Sequence, residues 1–144
     1  MRKKLRNIAE YPTVFSFGAL LYGAIEILFR GFTHWTMLLT GGFCLAIYHK
    51  ACKLLKRTTV LIKAFFGSAI FTLLELIAGL IVNIKLKWNI WDYSRRFMNY
   101  KGQICPLFSF LWFLISIPAA WICSAFEFFF REKPREKLYT EKKR

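Results

Sequence analysis

The sequence predicts an all-α integral membrane protein of four transmembrane helices, with an amphipathic interfacial segment between the third and the fourth. Three observations carry this. The chain of 144 residues is 56% hydrophobic and 19% aromatic, richer than the roughly 45–50% apolar content of a soluble domain. Its charged residues gather between long uncharged stretches instead of alternating with apolar positions. Four of those stretches reach the roughly 20 apolar residues that cross a hydrocarbon core about 30 Å thick.

The spans fall at about residues 11–30, 33–50, 63–84 and 105–128, making residues 1–130 one transmembrane domain. The first contains a single acid, Glu26; the second is an uncharged segment bracketed by Arg30 and Lys50. The third contains only Glu75, and the fourth has only Glu127, near its end. Pro118 interrupts the fourth span and frees the carbonyl around Leu114, which predicts a kink. After Phe130 the sequence REKPREKLYTEKKR reads as a basic cytoplasmic tail over residues 131–144, a topology anchor or a contact with anionic headgroups.

Orientation follows from the retention of Lys and Arg on the cytoplasmic side. One set of connections and tails carries 16 basic residues and the other 6, so both termini are expected in the cytoplasm. The expected location is a cell membrane, taken as a bacterial inner membrane. The net charge of +14 would suit a nucleic-acid partner, but the charges sit at segment ends and not on one face, so nucleic acid is excluded as partner. Cys44, Cys52, Cys105 and Cys123 form no CxxC pair and signal neither zinc nor a disulfide framework. The basic start is not followed by a short apolar core and a small-residue cleavage site, so no removable signal peptide is expected.

Candidate site residues are the polar groups the spans cannot ignore. Glu75 lies near the middle of the third span, where a charge such as Asp costs about 2.5–3.5 kcal/mol. Gly79 and Asn83 follow at intervals of four, so Glu75, Gly79 and Asn83 share one helical face. Glu75 is either a functional acid or a packing residue bonded to another span. Glu26 has Tyr22 one turn before it and Arg30 one turn after, a spacing for an ion pair or for binding a cation or proton. His34, beside Trp35 in the short first connection, reads as an interfacial hydrogen-bonding residue, with pH sensing or metal binding as the other readings. His49 has no ligand cluster.

The segment KLKWNIWDYSRRFMNYKGQ, Lys85 to Gln103, is aromatic throughout. Ile90, Tyr93, Phe97 and Tyr100 recur at helical spacing, with Asp92, Arg95, Arg96 and Asn99 opposite, which predicts an interfacial helix from about Asn89 to Tyr100. Asn89 would cap it, and Trp88 and Trp91 would lie near headgroups. The sequence contains no GxxxxGK[ST], GxSxG or HExxH motif. No enzyme, cofactor or metal is expected, and no ATP hydrolysis by a Walker-type mechanism.

The block YGAIEILFRGFTHWTMLLTGG, then ELIAGLIVN, WDYS, NYKGQIC and FSFLW, in that order over roughly residues 18–112, resembles the family called Putative ABC-transporter type IV. The resemblance places the family pattern on Glu26, Arg30, Gly31, His34, Trp35, Glu75, Gly79, Asn83, Trp91, Asp92, Tyr93, Ser94, Asn99, Gly102 and Gln103. It implies a multi-span permease with a separate ATPase subunit. The function expected is a small transport component with an intramembrane acidic site, its substrate or ion candidates being Glu26, Arg30, His34, Glu75, Asn83, Asp92, Asn99 and Gln103. The alternative is a non-transporting scaffold or lipid-binding assembly partner. Partners would be membrane lipids and a second copy of the chain, as a dimer, or a larger membrane complex.

Overall fold

The structure, a computed structural model, describes residues 2–130; the basic tail lies outside the described residues. Four α-helices follow in order: α1 (Arg2–Arg30), α2 (Trp35–Leu54), α3 (Val60–Gly79) and α4 (Pro106–Phe130), with a π-helical turn (Leu80–Lys85) continuing α3. Their ends follow local chemistry. Gly31, at φ 77°, takes the left-handed conformation that closes α1, its N–H bonded to the Ile27 carbonyl at 2.8 Å. His34 caps α2 and Thr59 caps α3 through side-chain acceptors. Pro106 opens α4 where no N–H is needed, and α4 stays one helical segment through Pro118.

Contacts along the helices run in opposite order, Glu10 with His49 and Gly18 with Leu45, so α1 and α2 are antiparallel. Glu75 with Trp112 and Gly67 with Ser116 make α3 and α4 antiparallel too. Each pair is drawn close by small residues, the usual means by which helices associate without a hydrophobic driving force. A Cβ on Gly41 would lie 2.1 Å from Tyr22 Cβ. Ser68 Oγ donates to the Ser109 carbonyl at 2.6 Å, and Thr72 Oγ1 to Ser109 Oγ at 3.0 Å. Tyr48, fully buried, joins the pairs by donating to the Ser116 carbonyl at 2.9 Å.

Three helical segments are long and apolar enough to cross a membrane: Ala9–Arg30, Val60–Lys85 and Pro106–Phe130. They expose Leu20, Leu28, Phe65, Leu73, Phe110 and Trp121 outward while also packing apolar residues inward, the all-round apolarity of helices whose surroundings are lipid. The protein is therefore a multi-pass cell-membrane protein. The expectation of four spans is corrected to three. Helix α2, between α1 and α3, is not apolar enough, because it carries Thr36, Thr40, Gly41, Gly42, His49, Lys50 and Lys53. Ten of its residues are buried against its neighbours, so protein and not lipid covers much of its polar surface.

The interfacial helix expected between the third and fourth spans is also absent. Residues 86–105, the outer segment of the orientation expected from the sequence, form an irregular run of turns with one isolated bridge, Tyr100 to Ile104. Lys87, Asn89, Met98 and Lys101 all have positive φ, 48–57°, a conformation that interrupts a right-handed helix. Side chains replace the helical ladder: Asp92 Oδ1 accepts from the Ser94 N–H at 2.8 Å, and Asn99 Oδ1 from the Gly102 N–H at 3.0 Å. Trp91 turns inward and is buried, its indole N–H on the Gln103 carbonyl at 3.0 Å.

Candidate functional site

The half of the bundle nearest residues 86–105 is organised around Glu75, which α3 presents inward at only 3% exposure. Trp112 of α4 donates its indole N–H to Glu75 Oε2 at 2.8 Å, and Tyr93 of the outer segment donates its hydroxyl to Oε1 at 3.1 Å. Both carboxylate oxygens are thus held by neutral donors. Burial, with the Glu75 carboxylate close by, raises the Tyr93 phenol far above its usual value, so it stays an O–H donor.

The outer segment reaches Glu75 because Asn83 grips it. In the π-helical turn, whose extra residue per turn aims Asn83 inward, Asn83 Oδ1 accepts from the Ile90 N–H at 2.7 Å. Its Nδ2 donates to the Trp91 carbonyl at 2.9 Å and to Gln103 Oε1 at 2.8 Å. Gly79 completes the arrangement: a Cβ there would lie 2.4 Å from Gln103 Oε1 and 3.0 Å from the Trp91 ring. The Glu75, Gly79, Asn83 face accommodates a neighbouring segment of the same chain.

Glu26 meets Arg30 in an ion pair within α1, and Thr33 Oγ1 donates to its other oxygen at 2.7 Å. Arg30 also donates to the Ile90 carbonyl at 3.0 Å, pinning the outer segment from the α1 side. Between α1, α4 and the outer segment lies a half-open cavity of about 550 Å³ lined by Glu26, Arg30, Glu75, Asp92, Tyr93 and Arg96, with Tyr22, Phe108, Leu111 and Trp112 among its apolar walls. The Ser94 hydroxyl and N–H hold the Asp92 carboxyl below the usual carboxylate range at the exposed rim.

Of the residues singled out in the sequence, Glu26, Arg30, Glu75 and Asp92 line this cavity, while Asn83 and Gln103 brace its wall. Asn99 and His34 stand outside it. Asn99 Nδ2 ties the loop through the Ser94 and Arg96 carbonyls. His34 caps α2 and packs on Trp35 and Trp88, ring centroids 5.6 and 5.5 Å away. Among the described residues no group of three or more His, Cys, Asp or Glu could hold a metal ion.

Sequence reasoning missed two features. Trp112 gave no sign of meeting Glu75, since 37 positions separate them. At the opposite, basic end, fully buried His49 places Nε2 2.7 Å from Glu10 Oε1, and Lys53 Nζ reaches the same oxygen at 2.5 Å. Beside them Lys56 pairs with Glu127.

Membrane-spanning helices enclosing buried acids define the class: a polytopic membrane protein with an intramembrane acidic site. Residues 11–138 match the family described as Putative ABC-transporter type IV, and the chain belongs to that family. It is accordingly a permease-like transport component and not an enzyme, and the family implies a separate ATPase partner. No curated protein and no solved structure matches the chain.

Proposed function

We propose that the transported molecule binds in the cavity between α1, α4 and the outer segment, and that Glu75 is the group that takes up positive charge there, as a proton or a cation. The contrast between two buried acids supports this. Glu26 is already paired with Arg30, whereas the Glu75 oxygens meet only the neutral donors Tyr93 and Trp112 among the described residues. A buried carboxylate without a cation gains most from acquiring one or from protonation. Asp92 and Arg96 form the rim, and Asn83 and Gln103 keep Tyr93 in reach. Asn99 and His34 keep a structural role.

In this reading both termini lie on the cytoplasmic side of a bacterial inner membrane: α2, not apolar enough to count as a span by itself, runs back along α1 and returns the chain to that side under the cover of its neighbours. The 16 to 6 split of basic residues supports it, as does the antiparallel course that brings Glu10, Lys53, Lys56 and Glu127 to one end. A closed two-fold dimer would add the further helices that so small a bundle needs to enclose a pathway.

A hydrophobic carbodiimide, which activates a protonated carboxyl in apolar surroundings, tests the site. Peptide mapping of the folded protein should find the adduct on Glu75 and not on Glu26. Modification of Glu26 with Glu75 untouched would reject the assignment. Reporters fused after Arg57 and after Arg144 should both give cytoplasmic signals; an external signal at either point rejects the orientation.

A further inference from the structure

The walls around Glu75 are aromatic. Tyr22 of α1 stacks on Trp112 of α4 with centroids 5.4 Å apart and planes 25° from parallel. Tyr93 stacks on Phe108 at 4.3 Å and 10°. All four rings line the cavity, and two of them also hold the Glu75 oxygens. Aromatic faces carry negative electrostatic potential and attract cations, most strongly where water is excluded.

The charges agree in sign. The charged groups lining the cavity besides Glu75 are Glu26, Arg30, Asp92 and Arg96. Glu26 and Arg30 neutralise each other, and Asp92 and Arg96 at the rim are opposite in sign, which leaves the Glu75 carboxylate as the unbalanced charge. Size and chemistry then decide the kind of cation. Hard metal ions need several oxygen ligands at close range, and the cavity offers ring faces and aliphatic walls such as Ile25, Leu111 and Ile115. Its volume of about 550 Å³ falls within the roughly 300–1,000 Å³ of sites for organic ligands. Its lips are apolar and exposed, Phe29 on α1 at 72% and Leu114 on α4 at 44%, which leaves an apolar ligand a route of entry from the side of the bundle.

We propose that the cavity selects a lipophilic organic cation, a quaternary ammonium or phosphonium with apolar substituents, seated between the Tyr22–Trp112 and Tyr93–Phe108 pairs with its charge against Glu75. This rests on the reading of Glu75 as the acidic site and names the ligand class for it.

Full-length protein in nanodiscs, with empty nanodiscs as reference, is titrated with tetraphenylphosphonium and with tetraphenylborate, which has the same shape and the opposite charge. The phosphonium should bind saturably and shield Glu75 from the carbodiimide, and the borate should not compete. Glu75→Gln should weaken phosphonium binding by at least about tenfold, equivalent to about 1.4 kcal/mol. Tyr22→Leu should weaken it comparably while Tyr22→Phe retains it, and this pair decides the matter if Glu75→Gln does not fold. Equal binding of the borate, full affinity in Glu75→Gln, or indifference to Tyr22→Leu overturns the proposal. If the carbodiimide labels Glu75 but the phosphonium neither binds nor shields it, the ligand class fails and the acidic-site reading stands; if Glu75 is not labelled and no phosphonium binds, both fail.

Discussion

Asn83 is the residue whose removal separates the outer segment from the bundle. Its side chain makes three hydrogen bonds, from the Ile90 N–H at 2.7 Å, to the Trp91 carbonyl at 2.9 Å and to Gln103 Oε1 at 2.8 Å. Asn83→Ala leaves all three partners unsatisfied, at about 1–3 kcal/mol for each buried group. Gln103 can rotate its amide to recover a partner, and the Ile90 N–H is only part-buried, so a total of about 2–4 kcal/mol against local opening is expected. At about 1.4 kcal/mol per factor of ten, amide hydrogen exchange at Ile90, Tyr93 and Gln103 should accelerate by roughly 30- to 700-fold. The middle of α4, around Ser116, should be unchanged, because its contacts with Gly67 and Tyr48 do not involve Asn83. Asn83→Asp should open the segment at least as much: it keeps an acceptor for Ile90 but turns a carboxylate toward the Trp91 carbonyl. Exchange in Asn83→Ala within threefold of the parent would refute the view that this side chain anchors the segment carrying Tyr93.

Two further outcomes follow from contacts elsewhere. Gly41→Ala places a methyl 2.1 Å from Tyr22 Cβ and 2.9 Å from the Gly18 carbonyl, so α1 must shift; overpacking of this kind costs about 1–3 kcal/mol, and the thermal midpoint in detergent should fall, with a changed Trp112 emission as Tyr22 leaves its ring. For Asp92 the sign runs one way: a carboxyl held below its usual value by Ser94 favours the folded segment above the ordinary Asp range near pH 3.9. That contribution is lost as pH falls through the depressed value, so exchange at the Ser94 amide should rise only below about pH 4, and Asp92→Asn should abolish this pH dependence.

How much was legible in the sequence depends on the range of the interaction. Long apolar runs interrupted by basic clusters are local, and they locate membrane helices directly. Glu26 and Arg30, one turn apart, are local too, and the structure joins them. The failure over α2 is instructive: an uncharged segment between Arg30 and Lys50 looks membrane-spanning until its threonines, paired glycines and His49 are weighed, and only tertiary packing shows how these polar positions are covered. At residues 89–100 the helical spacing of aromatic residues was real, but Asp92 and Asn99 spend their side chains on nearby backbone groups and the chain enters left-handed conformations that periodicity does not register. Glu75 drew notice by its burial cost, but its partners lie 18 and 37 positions away. Glu10 lay just outside the first predicted span and is caught by His49 and Lys53, 39 or more positions on.

The location of the cavity follows from where small residues are missing. Along α1 and α2, Gly18 and Gly41 let the backbones approach until an added Cβ would collide. Along α3 and α4, Gly67, Ser68, Thr72, Ser109 and Ser116 do the same and add hydrogen bonds between helices. The seam between α1 and α4 has no such residues at the outer end. It is faced by Tyr22, Ile25 and Phe29 from one side and by Phe108, Leu111, Trp112 and Ile115 from the other. Bulky side chains there hold the helices apart, with Tyr22 on Trp112 as their bridge. Glu75 lines the gap left beside that bridge, so the pairwise distribution of glycine, serine and aromatic residues sets the acid at the wall of a cavity instead of in a closed core.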